Sequence, residues 1–90
     1  MAFPFAQFCV LHVGMGEVLG SAGRITEAEE QFRIAIVLAP QQARAHNDLG
    51  MALERQGKVA EAIEAYRRAL AIDAALPGAQ ANLDRAMRIR

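Results

Sequence analysis

The chain reads as an all-α solenoid of five helices: two full helix-turn-helix units followed by a single capping helix. Three observations carry this. The sequence repeats itself at a spacing of 34 residues: Gly16 returns as Gly50, Leu19 as Leu53, Gly23 as Gly57, Ala28 as Ala62, Phe32 as Tyr66 and Ala35 as Ala69. A fixed period in this range marks a stack of supersecondary units, each of which leaves an apolar face for the next to cover. Apolar residues recur at helical intervals and never in sustained two-residue alternation, so no strand is expected. Gly and Pro fall between the periodic segments, where helices stop.

The first helix is carried by the apolar run from Val10 to Leu19 and ends near Ser21-Ala22-Gly23. Gly23 suits a left-handed residue just past a helix, because it has no Cβ to clash. Thr26-Glu27-Ala28-Glu29 then reads as a capping box, with the Thr26 hydroxyl and the Glu29 carboxylate each satisfying a free amide. The second helix presents Phe32, Ala35, Ile36 and Leu38 on one face, and Pro40 stops it for want of an amide hydrogen. A third helix carries Ala45, His46, Leu49, Ala52 and Leu53 and ends at Gln56-Gly57. A fourth runs from Val59 through Ala62, Ile63, Tyr66, Ala69, Leu70 and Ile72. Pro77 fits the first position of a fifth helix, where its missing amide costs nothing. Ala79, Leu83, Ala86 and Met87 line that helix, and Gly78 near its start is a mild weakness.

These elements divide the chain into an apolar leader (1–8), a first repeat (9–42), a second repeat (43–76) and a capping helix (77–90). With 90 residues, 53% apolar and 22% charged, the chain has the composition of one small globular domain. Ten basic and ten acidic residues cancel, so no overall field draws it to nucleic acid or anionic lipid. Arg85, Arg88 and Arg90 crowd the C-terminal end, where they complement the helix dipole, and no basic stripe interleaved with aromatics points to RNA. The first sixteen residues carry no Asp, Glu, Lys or Arg, but a secretory signal needs a basic start and a membrane span needs about 20 apolar residues. Glu17 ends the run too early for that. Cys9 is the single cysteine, which excludes an internal disulfide and leads to the expectation of a cytoplasmic protein.

The pattern of Leu-Gly, a second large residue, Ala, an aromatic, Ala and Pro at set places within 34 residues resembles the tetratricopeptide repeat family. The second repeat supplies Leu49, Gly50, Leu53, Gly57, Ala62, Tyr66 and Ala69. The first supplies Met15, Gly16, Leu19, Gly23, Ala28, Phe32, Ala35 and Pro40. Two places depart from the pattern: His12 and His46 stand where the family has a large aromatic, and Ala74 stands where it closes a unit with Pro. Glycines 16 and 50 are expected to let paired helices close up, with the rings of Phe32 and Tyr66 filling the space beside them.

The resemblance implies a binder of proteins, not an enzyme, with no cofactor. The first helix of each pair would line a concave groove. By position that groove would show Val10, Val13 and Glu17 from the first repeat, Arg44, Asn47, Met51 and Glu54 from the second, and Arg85 and Arg88 from the last helix. Asn47 would bond a peptide backbone and Arg44 or Arg85 a carboxylate. Chaperone-binding members clamp a terminal carboxylate with Lys, Asn and Arg, whereas the same places here hold Val13, Glu17, Asp48, Gly78 and Asn82. Ligands of that kind are therefore not expected.

A second expectation is self-association, most simply as a two-fold dimer. Phe3, Phe5, Phe8 and Val10 would form an apolar patch at the open end of the stack. The rival reading is a fragment of a longer repeat array. Catalysis is not expected, since no nucleophile elbow, phosphate loop or metalloprotease motif occurs. Cys9, His12 and His46 are the residues that would hold Zn²⁺ if they converged, but repeat-equivalent histidines are more simply packing residues, and no metal is expected.

Overall fold

The structure is a computed structural model that describes residues 5–89. Its five helices are α1 (Phe5–Ser21), α2 (Ile25–Leu38), α3 (Ala43–Arg55), α4 (Val59–Ile72) and α5 (Ala79–Ile89). No strand occurs among the described residues. Each helix packs on the one before it, α1 also meets α3, and α3 meets α5. The result is two helix pairs and a fifth helix, stacked along one direction.

The glycine-aromatic fit sets the spacing within each pair. A Cβ on Gly50 would lie 2.5 Å from the Tyr66 ring, and one on Gly16 would strike the Phe32 ring in the same way. No side chain can replace either hydrogen without moving a buried ring. Around these rings Ala28, Leu49, Ala52, Leu53, Ala62, Ile63, Ala65 and Ala86 form one apolar cluster, and Cys9, Val13, Ala35 and Ala45 form a second between α1, α2 and α3. Cys9 is wholly buried, and burial pushes its thiol pKa up against an opposing bond from Gln42.

Four expectations of the sequence are corrected by the backbone. Helix α1 begins at Phe5, well before Val10, because nothing between the two interrupts a helix: there is no charge, Gly or Pro. The capping box at Thr26 does not form. Gly23, at φ +83°, donates to the Gly20 carbonyl (3.1 Å) while Arg24 donates to that of Leu19 (2.9 Å), and α2 starts at once with Arg24 as its N-cap. Thr26 is therefore already inside the helix. Gly57 and Lys58 repeat the turn, donating to Glu54 and Leu53. Pro77 does not open α5 either. Gly78 precedes it at φ +82°, and its carbonyl accepts the Asn82 amide (2.9 Å), so the glycine is an entry residue and not a weak helical one. Val13, placed in the groove by position, is instead buried in the second cluster.

Candidate functional site

Helices α1, α3 and α5 present a row of polar side chains that bind one another across the repeats. Arg44 on α3 grips Glu17 on α1 through Nη2 (2.6 Å) and Nε (3.0 Å). Arg55 donates from Nη1 to the Gly20 carbonyl (3.0 Å). Asn82 on α5 donates to Asn47 Oδ1 (3.0 Å), and Asn47 is buried. Arg85 binds Glu54 bidentately (2.7 and 2.9 Å), and the Tyr66 hydroxyl donates to the same carboxylate (2.7 Å).

The electrostatics follow from these contacts. The Arg85 guanidinium, helped by the Tyr66 hydroxyl against partial burial, holds the Glu54 carboxyl below the usual range. Burial and the neighbouring Glu54 charge raise the Tyr66 phenol. Asp48 behaves oppositely. Burial, and then the Glu17 carboxyl facing it, push its pKa up to about 7, with Arg44 pulling the other way. Its Oδ2 is buried with no hydrogen-bond partner, and Arg44 Nε stands 4.0 Å off.

Between α1 and α3 the row opens into a hollow of about 250 Å³, lined by Gly16, Glu17, Gly20, Phe32, Asp48, Met51 and Arg55 among others. Phe32 and Ala52 give it an apolar wall, and Met51, itself exposed, stands at the edge. At the equivalent place between α3 and α5 stand the Tyr66–Glu54–Arg85 contacts.

Of the residues named from sequence, Arg44, Asn47, Glu54 and Arg85 are thus brought together, but each is engaged by a neighbouring helix. Met51 borders the hollow and Arg88 is exposed on α5. Val10 and Phe8 lie exposed on α1. Phe3 and the side chain of Phe5 fall outside the described residues. Sequence reasoning missed Leu11, Met15 and Val18, which extend the open apolar face of α1. Their spacing from Phe8 (three, four and three residues) was the available signal.

The histidines are packing residues with one polar bond each. Buried His46 donates from Nε2 to the Pro40 carbonyl (2.9 Å), and His12 Nδ1 is bonded to Gln31 Oε1 (2.7 Å). Cys9 faces the core, and no group of three His, Cys, Asp or Glu side chains among the described residues could hold a metal. No helix among them is long and apolar enough to cross a membrane.

Helix pairs repeated along one direction, each packed on its neighbours, place the chain in the class of helical-repeat proteins. The chain belongs to the tetratricopeptide repeat family, whose profile matches residues 13–80. The fold is that of the first tetratricopeptide domain of Spaghetti (RPAP3), a structure bound to the HSP90 peptide SRMEEVD. The two share a TM-score of 0.88 at 22% identity, over 98% of this chain and 68% of that one. The chain is also 40% identical over 52 residues to the protein O-mannosyl-transferase Tmtc1 of Drosophila melanogaster. That match takes in 58% of this chain but only 6% of the transferase.

Proposed function

We propose that the chain is a non-enzymatic protein-interaction scaffold that takes a partner peptide or helix along the α1/α3/α5 face and also self-associates through α1. The observation that carries the first half is the hollow between α1 and α3, open on the α1/α3/α5 face with an apolar wall of Phe32 and Ala52. The peptide-bound neighbour of the same fold supports a ligand of this size. Repeats 9–42 and 43–76 form the body of this scaffold, and α5 packs on the second of them. The lone buried thiol suits a reducing, cytoplasmic setting.

An acidic tail such as SRMEEVD is not the ligand we expect, because the Glu17 carboxylate faces the hollow, joined by Asp48 once pH rises past about 7. Like charges there oppose a carboxylate.

Mapping amide chemical shifts during titration with a peptide panel tests the groove. Ligands should perturb α1 and α3 residues around Gly20, Met51 and Arg55. Met51→Arg, which copies Arg85 into the equivalent place, should fill the hollow and abolish those shifts. Perturbations confined to α2 and α4 would overturn the assignment.

The open apolar face of α1 supports self-association, since monomeric surfaces seldom leave such patches bare.

A further inference from the structure

Equivalent positions along the stack fare differently. Ala45, Leu49 and Ala52 on α3 are buried, as are Ala79 and Ala86 on α5. A preceding helix covers them: Ala45 packs with Ala35 and Leu38 of α2, while Ala86 joins the cluster that holds Ile63 and Tyr66 of α4. The counterparts on α1 are Leu11, Met15 and Val18, and with Phe8 and Val10 they stand between 45% and 70% exposed. The place a helix fills in later repeats is open in the first.

Phe8, Leu11, Met15 and Val18 form a heptad-like seam along one side of α1. Its flanks hold Gln7, His12 and Gly14, so no Asp, Glu, Lys or Arg lies on it. Glu17, the one charge of the helix, is turned to Arg44 on α3. At the middle of the seam Gly14 leaves a shallow, open hollow bordered by Val10, Leu11, Met15, Val18 and Leu19. A Cβ added to Gly14 would meet nothing within 4 Å.

We infer that this seam pairs with the same seam of a second copy, the two α1 helices running antiparallel about a two-fold axis between Gly14 and Met15. Each Met15 then enters the hollow over the opposite Gly14, and each Leu11 meets the opposite Val18. The inference rests on the self-association proposed above and gives it residues and a direction.

Three features favour a second copy over an unrelated helix. The seam is its own complement, with the long side chain of Met15 next to the gap that receives it. It carries no charge, so two copies meet without repulsion and nothing selects a partner of opposite sign. Its size suits a reversible pairing. At roughly 200 Å² for a large side chain, the exposed parts of Phe8, Leu11, Met15 and Val18 come to about 450 Å² per copy. Two copies would bury about 900 Å², the size of a weak dimer that forms and parts with concentration.

Sedimentation equilibrium over a range of concentrations tests the pairing. The wild-type chain should pass from 9.8 kDa to twice that mass. Leu11→Glu combined with Val18→Glu should hold the protein at one chain with an unchanged helical circular dichroism spectrum, since both residues are exposed in the monomer. Gly14→Gln should weaken the dimer by about tenfold or more by filling the hollow, again without unfolding it. Val37→Glu, on an exposed position of α2, should change nothing.

A wild-type chain that stays single up to about 1 mM would overturn the pairing and self-association together, leaving the face to a helix of another protein. A dimer untouched by the double charge substitution would overturn the α1 pairing while self-association stood. A dimer broken by that substitution but indifferent to Gly14→Gln would overturn the antiparallel register.

Discussion

The two helix-pair junctions share a backbone but not their side chains, and three equivalent positions mark the difference. Where α1 meets α3, these are Gly20, Phe32 and Met51. Where α3 meets α5, they are Glu54, Tyr66 and Arg85. The first set borders a hollow and the second makes a bidentate ion pair capped by a phenol. The rings of Phe32 and Tyr66 pack alike against Gly16 and Gly50, so the fold is indifferent to the exchange. If the proposed function holds, the repeat keeps structure and recognition on separate positions: Gly16, Gly50, Ala28 and Ala62 bring the helices together, while residues a turn away set the room left for a ligand.

The largest test of that separation compares Leu49→Arg with Met15→Arg. The positions are equivalent, but Leu49 is buried and Met15 open. Leu49→Arg puts an unpaired charge into the core and should cost about 4 kcal/mol or more, enough to unfold a small domain. Met15→Arg should shift the stability of the single chain, at concentrations too low for pairing, by less than about 0.5 kcal/mol. Urea melts of both would decide; equal losses would show that the open face is not open.

Gly50→Ala comes next, at about 2–3 kcal/mol, because the added methyl must displace the Tyr66 ring. The gain in helix propensity over glycine, about 1 kcal/mol, offsets only part of such strain. The same change at Gly16 should cost a similar amount, and thermal melts of the two variants would report any difference between the junctions.

Arg85→Met, which copies the first junction into the second, should cost about 1–2 kcal/mol. It also carries a pH signature. Arg85 depresses the Glu54 pKa in the folded chain. The stability gained is present above the ordinary glutamate range and lost as pH falls through the lowered value. Stability measured across acid pH should therefore fall less steeply in the variant than in the wild type.

Asp48→Asn is the smallest expected effect and the only gain. Its raised pKa means that the folded chain keeps a proton which the unfolded chain gives up, so wild-type stability declines as pH rises from about 4 toward 7. Asparagine removes that loss and still donates toward Glu17. Denaturant melts should show a gain on the order of 1 kcal/mol at pH 8 and none near pH 4.

The repeat, the five helices and the glycine-aromatic contact were all legible in the sequence, because each is a local rule written twice 34 residues apart. Gly16 and Gly50 with Phe32 and Tyr66 are the clearest instance. Turn details were not. Arg24 closes one helix and caps the next, and no side-chain motif marks such a shared residue, so Thr26 drew attention instead. Polar partners were also hidden. That Arg44 faces Glu17 and Arg85 faces Glu54 depends on how far one repeat rotates against the next, which is a property of packing and not of period. The α1 face was legible only in part, for a related reason. The aromatic leader stood out by composition, while Leu11, Met15 and Val18 look like ordinary core residues until their counterparts on α3 are seen buried.

Among the described residues each helix touches only those one or two places away in the chain. A pull on the two ends would find no clasp joining the first helix to the last. Force would be met by one seam after another, and the molecule would lengthen in small steps, more like a spring paid out coil by coil than a knot that holds and then snaps.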